Sequence, residues 1–269
     1  MIFGSHSKGQ TRSAIFFSAL ALALFAAIPA GAETHMSQNS TLPASLKNVH
    51  RIVTMGDSIT QAGEQPGGYV ALLRTYFAIL YPSQHIEVIN AGISGHKSTD
   101  MQARFQKDVI AHSPDLVTIS VGVNDVWHGY RDFARGIDHP NGDLPAGVSV
   151  SLYREKVTAM IEAAQAAKAQ VALLSPTLIY ENLYSVENKK LMEYINVMRD
   201  LAREHHCMFI DLNKPFRTII STYQRYAGKT TNLLTSDGVH MNPAGNKLMA
   251  YTILRGLGVP EKDIINLKP

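Results

Sequence analysis

A serine, an aspartate and a histidine stand where they could form a nucleophilic relay. Ser58 lies in Gly56-Asp57-Ser58-Ile59-Thr60, directly after the apolar run from Arg51 to Met55. Near the other end of the chain, Asp237 and His240 share the block Asp237-Gly238-Val239-His240. A serine hydroxyl attacks poorly until a base removes its proton. His240 is the candidate base, and Asp237 the group that orients its ring and stabilises the imidazolium. An acyl-transfer reaction of this kind also needs hydrogen-bond donors for the oxyanion of its tetrahedral intermediate, each worth about 10²–10³ in rate. Two further blocks could supply them: Asn90-Ala91-Gly92-Ile93-Ser94-Gly95 and Gly122-Val123-Asn124-Asp125. Gly92 has no side chain, so its backbone N–H could approach a substrate closely. Asn124 offers a side-chain amide, and the Ser58 N–H is a third donor. Singly, each residue has an ordinary structural use: Ser58 as a helix N-cap, Asp237 and His240 as a turn before a helix, Gly92 and Asn124 as turn residues.

These blocks need elements to hold them. The spacing of apolar residues predicts strands at 51–55, 86–89, 116–121, 171–174 and 207–210, several of them continuous apolar runs of the kind that buried parallel strands show. Helical periodicity is read over 68–81, 101–112, 152–169, 186–205 and from Pro243 to about Leu257, with Pro243 suited to a first helical turn. Alternating strands and helices imply an α/β three-layer sandwich, a five-stranded parallel sheet of the flavodoxin-like kind with helices on both faces and right-handed crossovers. Ligands in such sheets bind beyond the carboxyl ends of the strands, and three of the four blocks follow a strand.

The four blocks, in this order and placement, resemble the SGNH hydrolases, the GDSL-type esterases and lipases, over most of the chain after the N-terminus. The run Asn90 to Gly95 together with Gly122 to His128 is most similar to the bacterial branch that includes carbohydrate acetylesterases. The resemblance implies a flavodoxin-like SGNH fold, a serine esterase working through an acyl-serine intermediate, and the site set Ser58, Gly92, Asn124, Asp237 and His240. It leaves open a lipase or arylesterase, a thioesterase, an O-acyltransferase, or a non-catalytic binding module on the same fold. No G-x-S-x-G elbow, P-loop or dinucleotide fingerprint is present.

The 269 residues, 45% hydrophobic and 17% charged, fit one globular domain plus a short extra segment. Lys8 and Arg12, the apolar stretch from Ala14 to Ile28 and Pro29-Ala30-Gly31-Ala32 read as a signal peptide over 1–32, cut after Ala32. The expectation is an exported protein, periplasmic or extracellular, with no membrane association once that segment is removed. A flexible leader is expected over 33–48 and the hydrolase domain over 49–269. The net charge of +3 falls to about +1 without Lys8 and Arg12, which gives nucleic-acid binding no electrostatic support. The single cysteine, Cys207, excludes an intrachain disulfide and is read as the buried start of the last strand. His205 and His206 lack further ligands at useful spacing, so no metal or other cofactor is expected. The expected partner is a small-molecule or glycan ester substrate, with oligomeric state open. The segment 129–148 is polar and lacks the broad apolar face of a lipase lid. Trp127, with His128 and Tyr130 near it, is a candidate for stacking on a sugar or for packing in the core.

Overall fold

The structure, a computed structural model, describes residues 40–228 and 232–267. The segment read as a signal peptide lies outside the described residues. In chain order the elements are β1 (Arg51–Gly56), α1 (Ser58–Ala62), α2 (Tyr69–Leu80), β2 (Glu87–Gly92), α3 (Ser98–Asp108), β3 (Leu116–Ser120) and α4 (Val123–Tyr130). A small hairpin, β4 (Arg131–Asp132) and β5 (Ile137–Asp138), precedes α5 (Val150–Ala166), β6 (Gln170–Leu174), α6 (Val186–Glu204) and β7 (Met208–Ile210). The chain continues through α7 (Asn213–Ala227), α8 (Pro243–Gly256) and α9 (Glu261–Ile264).

The main sheet has the order β2-β1-β3-β6-β7, with every neighbouring pair parallel. It is the expected five-stranded α/β sandwich. Its central strand β3 is buried at every residue, because helices cover both faces. On one side α3 packs on α5 and α5 on α6; on the other, α2 and α7 pack on α8. The chain runs outward from β1 to β2, then returns to β3 on the opposite side of β1. That reversal opens a crevice beyond the carboxyl ends of β1 and β3. Register sharpens the placement: Gly56 pairs with Gly92, and Met55 with Ile119. The three segments that leave these strands therefore emerge side by side.

Several local expectations need correction. Residues 40–48 are not a loose leader: Leu46 is fully buried, Ala44–Leu46 forms a 3-10 turn, and Ser45 Oγ donates to the Leu257 carbonyl. Their apolar side chains complete the core beside α8. Cys207 precedes β7 instead of opening it and is half-buried. Burial pushes its thiol up to about 11, which leaves little thiolate at neutral pH. Helices α1, α4, α7 and α9 go beyond the elements expected from periodicity.

Candidate active site

Ser58 is the first residue of α1, a helix of one and a half turns entered through Asp57. The Asp57 carboxylate accepts the Ile59 N–H at 2.9 Å and so caps the helix. As the first helical residue, Ser58 has no acceptor inside α1 for its own N–H. Burial raises the Asp57 carboxyl to about 6, against the opposing pull of the Ile59 N–H and of the His240 charge.

Asp237 and His240 stand on the turn that precedes α8. Asp237 Oδ1 accepts the N–H groups of Val239 and His240 at 2.9 and 2.8 Å, which curls the turn so that the two side chains meet. Asp237 Oδ2 lies 2.6 Å from His240 Nδ1, and His240 Nε2 lies 2.8 Å from Ser58 Oγ. Burial opposes the charge on Asp237. The hydrogen bonds from the His240 ring and from both N–H groups outweigh it and hold the carboxyl below its ordinary range. An ionised carboxylate can only accept. It therefore fixes the tautomer: Nδ1–H donates to Asp237, and Nε2 is left to accept from the serine hydroxyl. The three sequence-predicted residues, 182 positions apart at the extremes, are joined in one hydrogen-bonded line.

Asn124 lies in the first turn of α4 and is buried. Its Nδ2 donates to the His96 carbonyl at 3.1 Å, which ties it to the turn after β2. Its second amide hydrogen has no partner among the described residues. The next residue, Asp125, accepts the Ser98 N–H at 3.0 Å and the Ser98 hydroxyl, fastening α4 to the start of α3. Burial raises the Asp125 carboxyl to about 6.

Gly92 does not occupy the expected position. Its N–H is already spent on the Asn90 side chain at 2.8 Å, and the Asn90 amide donates in turn to the Thr60 carbonyl at 2.6 Å. A Cβ at Gly92 would stand 2.2 Å from the Gln61 backbone nitrogen. Gly92 is thus where β2 touches the backbone of α1, and it is not a free donor. Gly95, at the tip of the same block, has the opposite surroundings. Its φ is +77°, open space lies where a Cβ would be, and its N–H has no partner among the described residues. It immediately precedes His96, whose carbonyl accepts from Asn124. The sequence signal was present: a Ser-Gly dipeptide marks a turn that needs positive φ.

Arg104 on α3 also went unread in the sequence. Its guanidinium donates to the Gly56 carbonyl, to His96 Nδ1 and to Asp108, each at 3.0 Å. It braces the end of β1 and the turn around His96 from beneath. Burial, reinforced by the Arg104 charge, lowers the His96 pKa.

On the other rim, Trp127 is partly buried and forms edge-to-face contacts with Phe133 and Tyr180, centroids 4.7 and 5.7 Å away. Its Nε1–H donates to the Tyr180 hydroxyl at 3.1 Å. Tyr180 packs against Gly238, inside the Asp237–His240 turn, and Phe133 exposes 46% of its surface. Trp127 is the buttress of this aromatic group, and Phe133 is its open ring. Among the described residues, no three His, Cys, Asp or Glu side chains gather as a metal site, and no helix is long and apolar enough to cross a membrane.

A family model for the GDSL-like lipase/acylhydrolase family matches residues 54–248. An acetylxylan esterase of Geobacillus stearothermophilus is 30% identical over 224 residues, 77% of this chain and 94% of that protein. A mouse isoamyl acetate-hydrolyzing esterase 1 homolog (Mus musculus) is 24% identical over 214 residues, covering 74% of this chain and 78% of that protein. Among solved structures, an acetylxylan esterase of Geobacillus stearothermophilus superposes with a TM-score of 0.67 at 28% identity, over 78% of this chain and 95% of that one. With a sheet that opens at the expected crevice and a sequence match that spans it, the chain belongs to the GDSL-like lipase/acylhydrolase family and is a carboxylic ester hydrolase.

Proposed function

We propose that the chain removes acetyl groups from carbohydrates through an acyl-serine intermediate, with Ser58 as nucleophile. The observation that carries the mechanism is the line Ser58 Oγ, His240 Nε2, His240 Nδ1, Asp237, with separations of 2.8 and 2.6 Å. His240 accepts the Ser58 proton as Oγ attacks the ester carbonyl, and Asp237 stabilises the imidazolium without taking its proton. The oxyanion then receives N–H groups from Ser58, Gly95 and the Asn124 amide. Collapse of the intermediate passes the proton from His240 to the departing sugar oxygen and leaves acetyl on Ser58. Water, deprotonated by the same imidazole, releases acetate. In the bacterial relative, catalytic mutants have been solved in which a serine, an aspartate or a histidine is replaced by alanine.

Support for the acyl half comes from the names of the relatives. Acetylxylan and isoamyl acetate share acetate and differ in the alcohol. Support for a sugar on the alcohol side comes from the aromatic group beside the turn, where Phe133 offers an open ring for stacking on a sugar face. Export through the segment 1–32 belongs to the same reading, since a polymeric glycan is met outside the cell. Its check is the N-terminus of the secreted protein, expected at Glu33.

The test measures kcat/KM on acetyl, butyryl, octanoyl and palmitoyl esters, and acetate released from acetylated xylan and pectin oligosaccharides. Acetyl esters should be preferred and acetate released, with Ser58→Ala inactive on all of them. A preference for octanoyl or longer chains with no release from any glycan refutes the substrate; an active Ser58→Ala refutes the nucleophile.

A further inference from the structure

The turn that carries Asp237 and His240 has almost no regular structure to hold it. Among the described residues, the only ladder contact between Asn232 and Asn242 is the single bridge between Thr235 and Met241. Yet Leu234 and Thr235 in it are buried, and their N–H groups must find acceptors. The N–H groups at the start of the turn, from Leu233 to Thr235, find them on one side chain from a different part of the chain. Glu181, in the loop between β6 and α6, is buried, and its carboxylate collects a run of consecutive donors. Oε2 accepts the Leu233 N–H at 2.6 Å. Oε1 accepts the N–H groups of Leu234 and Thr235 at 2.8 and 3.0 Å, and the Thr235 hydroxyl at 2.9 Å.

We infer that Glu181 is a positioning residue for the Asp237–His240 turn. The connection runs through Thr235. Its hydroxyl hydrogen is committed to Glu181, so its oxygen faces outward to accept the Gly238 N–H at 3.1 Å. Gly238 lies between Asp237 and His240 with φ at +99°, a conformation that costs glycine nothing. The neighbouring residue holds the same glycine from the other side: Tyr180, itself at φ +59°, rests its ring where a Gly238 Cβ would be, 2.7 Å away. Asn242 closes the frame by donating to the Leu233 and Thr235 carbonyls at 3.0 and 3.3 Å. A carboxylate is suited to this task because each oxygen accepts more than one bond and charge-assisted bonds are short and strong. Glu181 makes no hydrogen bond to Ser58, Asp237 or His240. It sets where His240 stands relative to Ser58, so its effect falls on turnover and not on substrate binding.

This inference rests on the catalytic reading of Ser58, Asp237 and His240, and its test keeps the two apart. In the full chain, Glu181→Ala, Glu181→Gln, Thr235→Val and Thr235→Ser are assayed on an activated acetate ester, below the melting temperature of each variant. Folding is checked by near-UV circular dichroism. Glu181→Ala and Thr235→Val should lower kcat about 10²-fold, the scale of an ångström-level misplacement, with KM changed less than about threefold. Glu181→Gln should lie between, because its amide oxygen keeps the acceptor for Leu234 and Thr235 while its NH2 group faces the Leu233 N–H. Thr235→Ser keeps the hydroxyl and should restore turnover, which a packing role for the Thr235 methyl would not allow. If Glu181→Ala does not fold, Glu181→Gln and the Thr235 pair decide. Folded Glu181→Gln and Thr235→Val with wild-type kcat, or a loss confined to KM, overturn the inference. Ser58→Ala is run beside them: if it is active, the catalytic reading falls and this inference with it. If it is inactive while Thr235→Val and Glu181→Gln are fully active, only the positioning role falls.

Discussion

Gly92→Ala adds one methyl group, and the structure says where it would go. The new Cβ would stand 2.2 Å from Gln61 N, 2.7 Å from the Thr60 carbonyl carbon and 2.8 Å from Gln61 Cα, all backbone atoms of α1. Ordinary contact begins near 3.4 Å, so the strand and the helix must part by about 1 Å, an overpacking that costs about 1–3 kcal/mol. At about 2–4 °C per kcal/mol for a domain of this size, the melting temperature should fall by about 2–12 °C. The catalytic effect should exceed the stability effect. The helix that retreats begins with Ser58, whose Oγ is only 2.8 Å from His240, and an error of about 1 Å there is enough for a loss near 10²-fold in kcat. Gly95→Ala is the control, because its methyl group enters open space. It keeps its N–H and meets only the cost of a left-handed conformation, about 1–2 kcal/mol. Thermal melts and steady-state kinetics on an activated acetate ester measure both variants. Gly92→Ala with wild-type kcat and melting temperature would show that α1 does not depend on this contact. A phosphonate adduct whose oxyanion is bound by the Gly92 N–H, in place of Gly95, would refute the reassigned donor.

On the proposed mechanism Asn124 is an oxyanion donor that acts mainly in the transition state, so Asn124→Ala should lower kcat about 10²–10³-fold with KM nearly constant; a KM effect alone would move Asn124 to substrate binding. Asp125→Asn tests the buried carboxylates through stability. The Asp125 carboxyl is raised from its ordinary 3.8 to about 6 by burial, so the folded state holds this proton more tightly than the unfolded one. Wild-type stability from this group is full below about pH 4 and is lost as pH rises towards 6, by about 3 kcal/mol at most. The melting temperature of Asp125→Asn relative to wild type should therefore climb between pH 4 and 6 and level off above; a flat or falling difference contradicts the assignment. Chelators should leave activity unchanged, and a loss in EDTA restored by a divalent ion would overturn the metal-free mechanism.

The parts of this molecule that repeat were legible in its sequence. The apolar runs at 116–121 and 171–174 fall on strands β3 and β6, because buried parallel strands tolerate little else. Helix α8 begins at Pro243 as read, with Asn242 capping it through the Gly245 N–H. Helix α7 was missed although its buried positions, Asn213, Phe216 and Ile220, lie at helical spacing. Its remaining residues are polar or exposed, so the apolar stripe is narrow. The docked segment 42–49 was missed for a different reason. Its Ser, Pro and Asn content suggests a linker, while Leu42, Leu46 and Val49 are too few to show a period.

The site divides along the same line. Ser58 and Asn124 follow strands, and their positions come from sheet register, which sequence order reveals. Gly92 ends strand β2 and Gly95 follows it three residues on, and both lie in one block. Which N–H is free depends on an Asn90 side chain that turns back on its own strand, and on a helix some thirty residues earlier. Neither is a property of the block. Glu181 is further removed, since its partners lie 52 to 54 positions downstream. A buried carboxylate that satisfies backbone donors leaves no motif, because any loop sequence supplies N–H groups. What the sequence does show is that Asp237 and His240 sit in a stretch without periodicity. Catalytic geometry within hydrogen-bond distance cannot rest on an unsupported stretch of chain. Here the start of that stretch is held by long-range bonds from one buried side chain, Glu181.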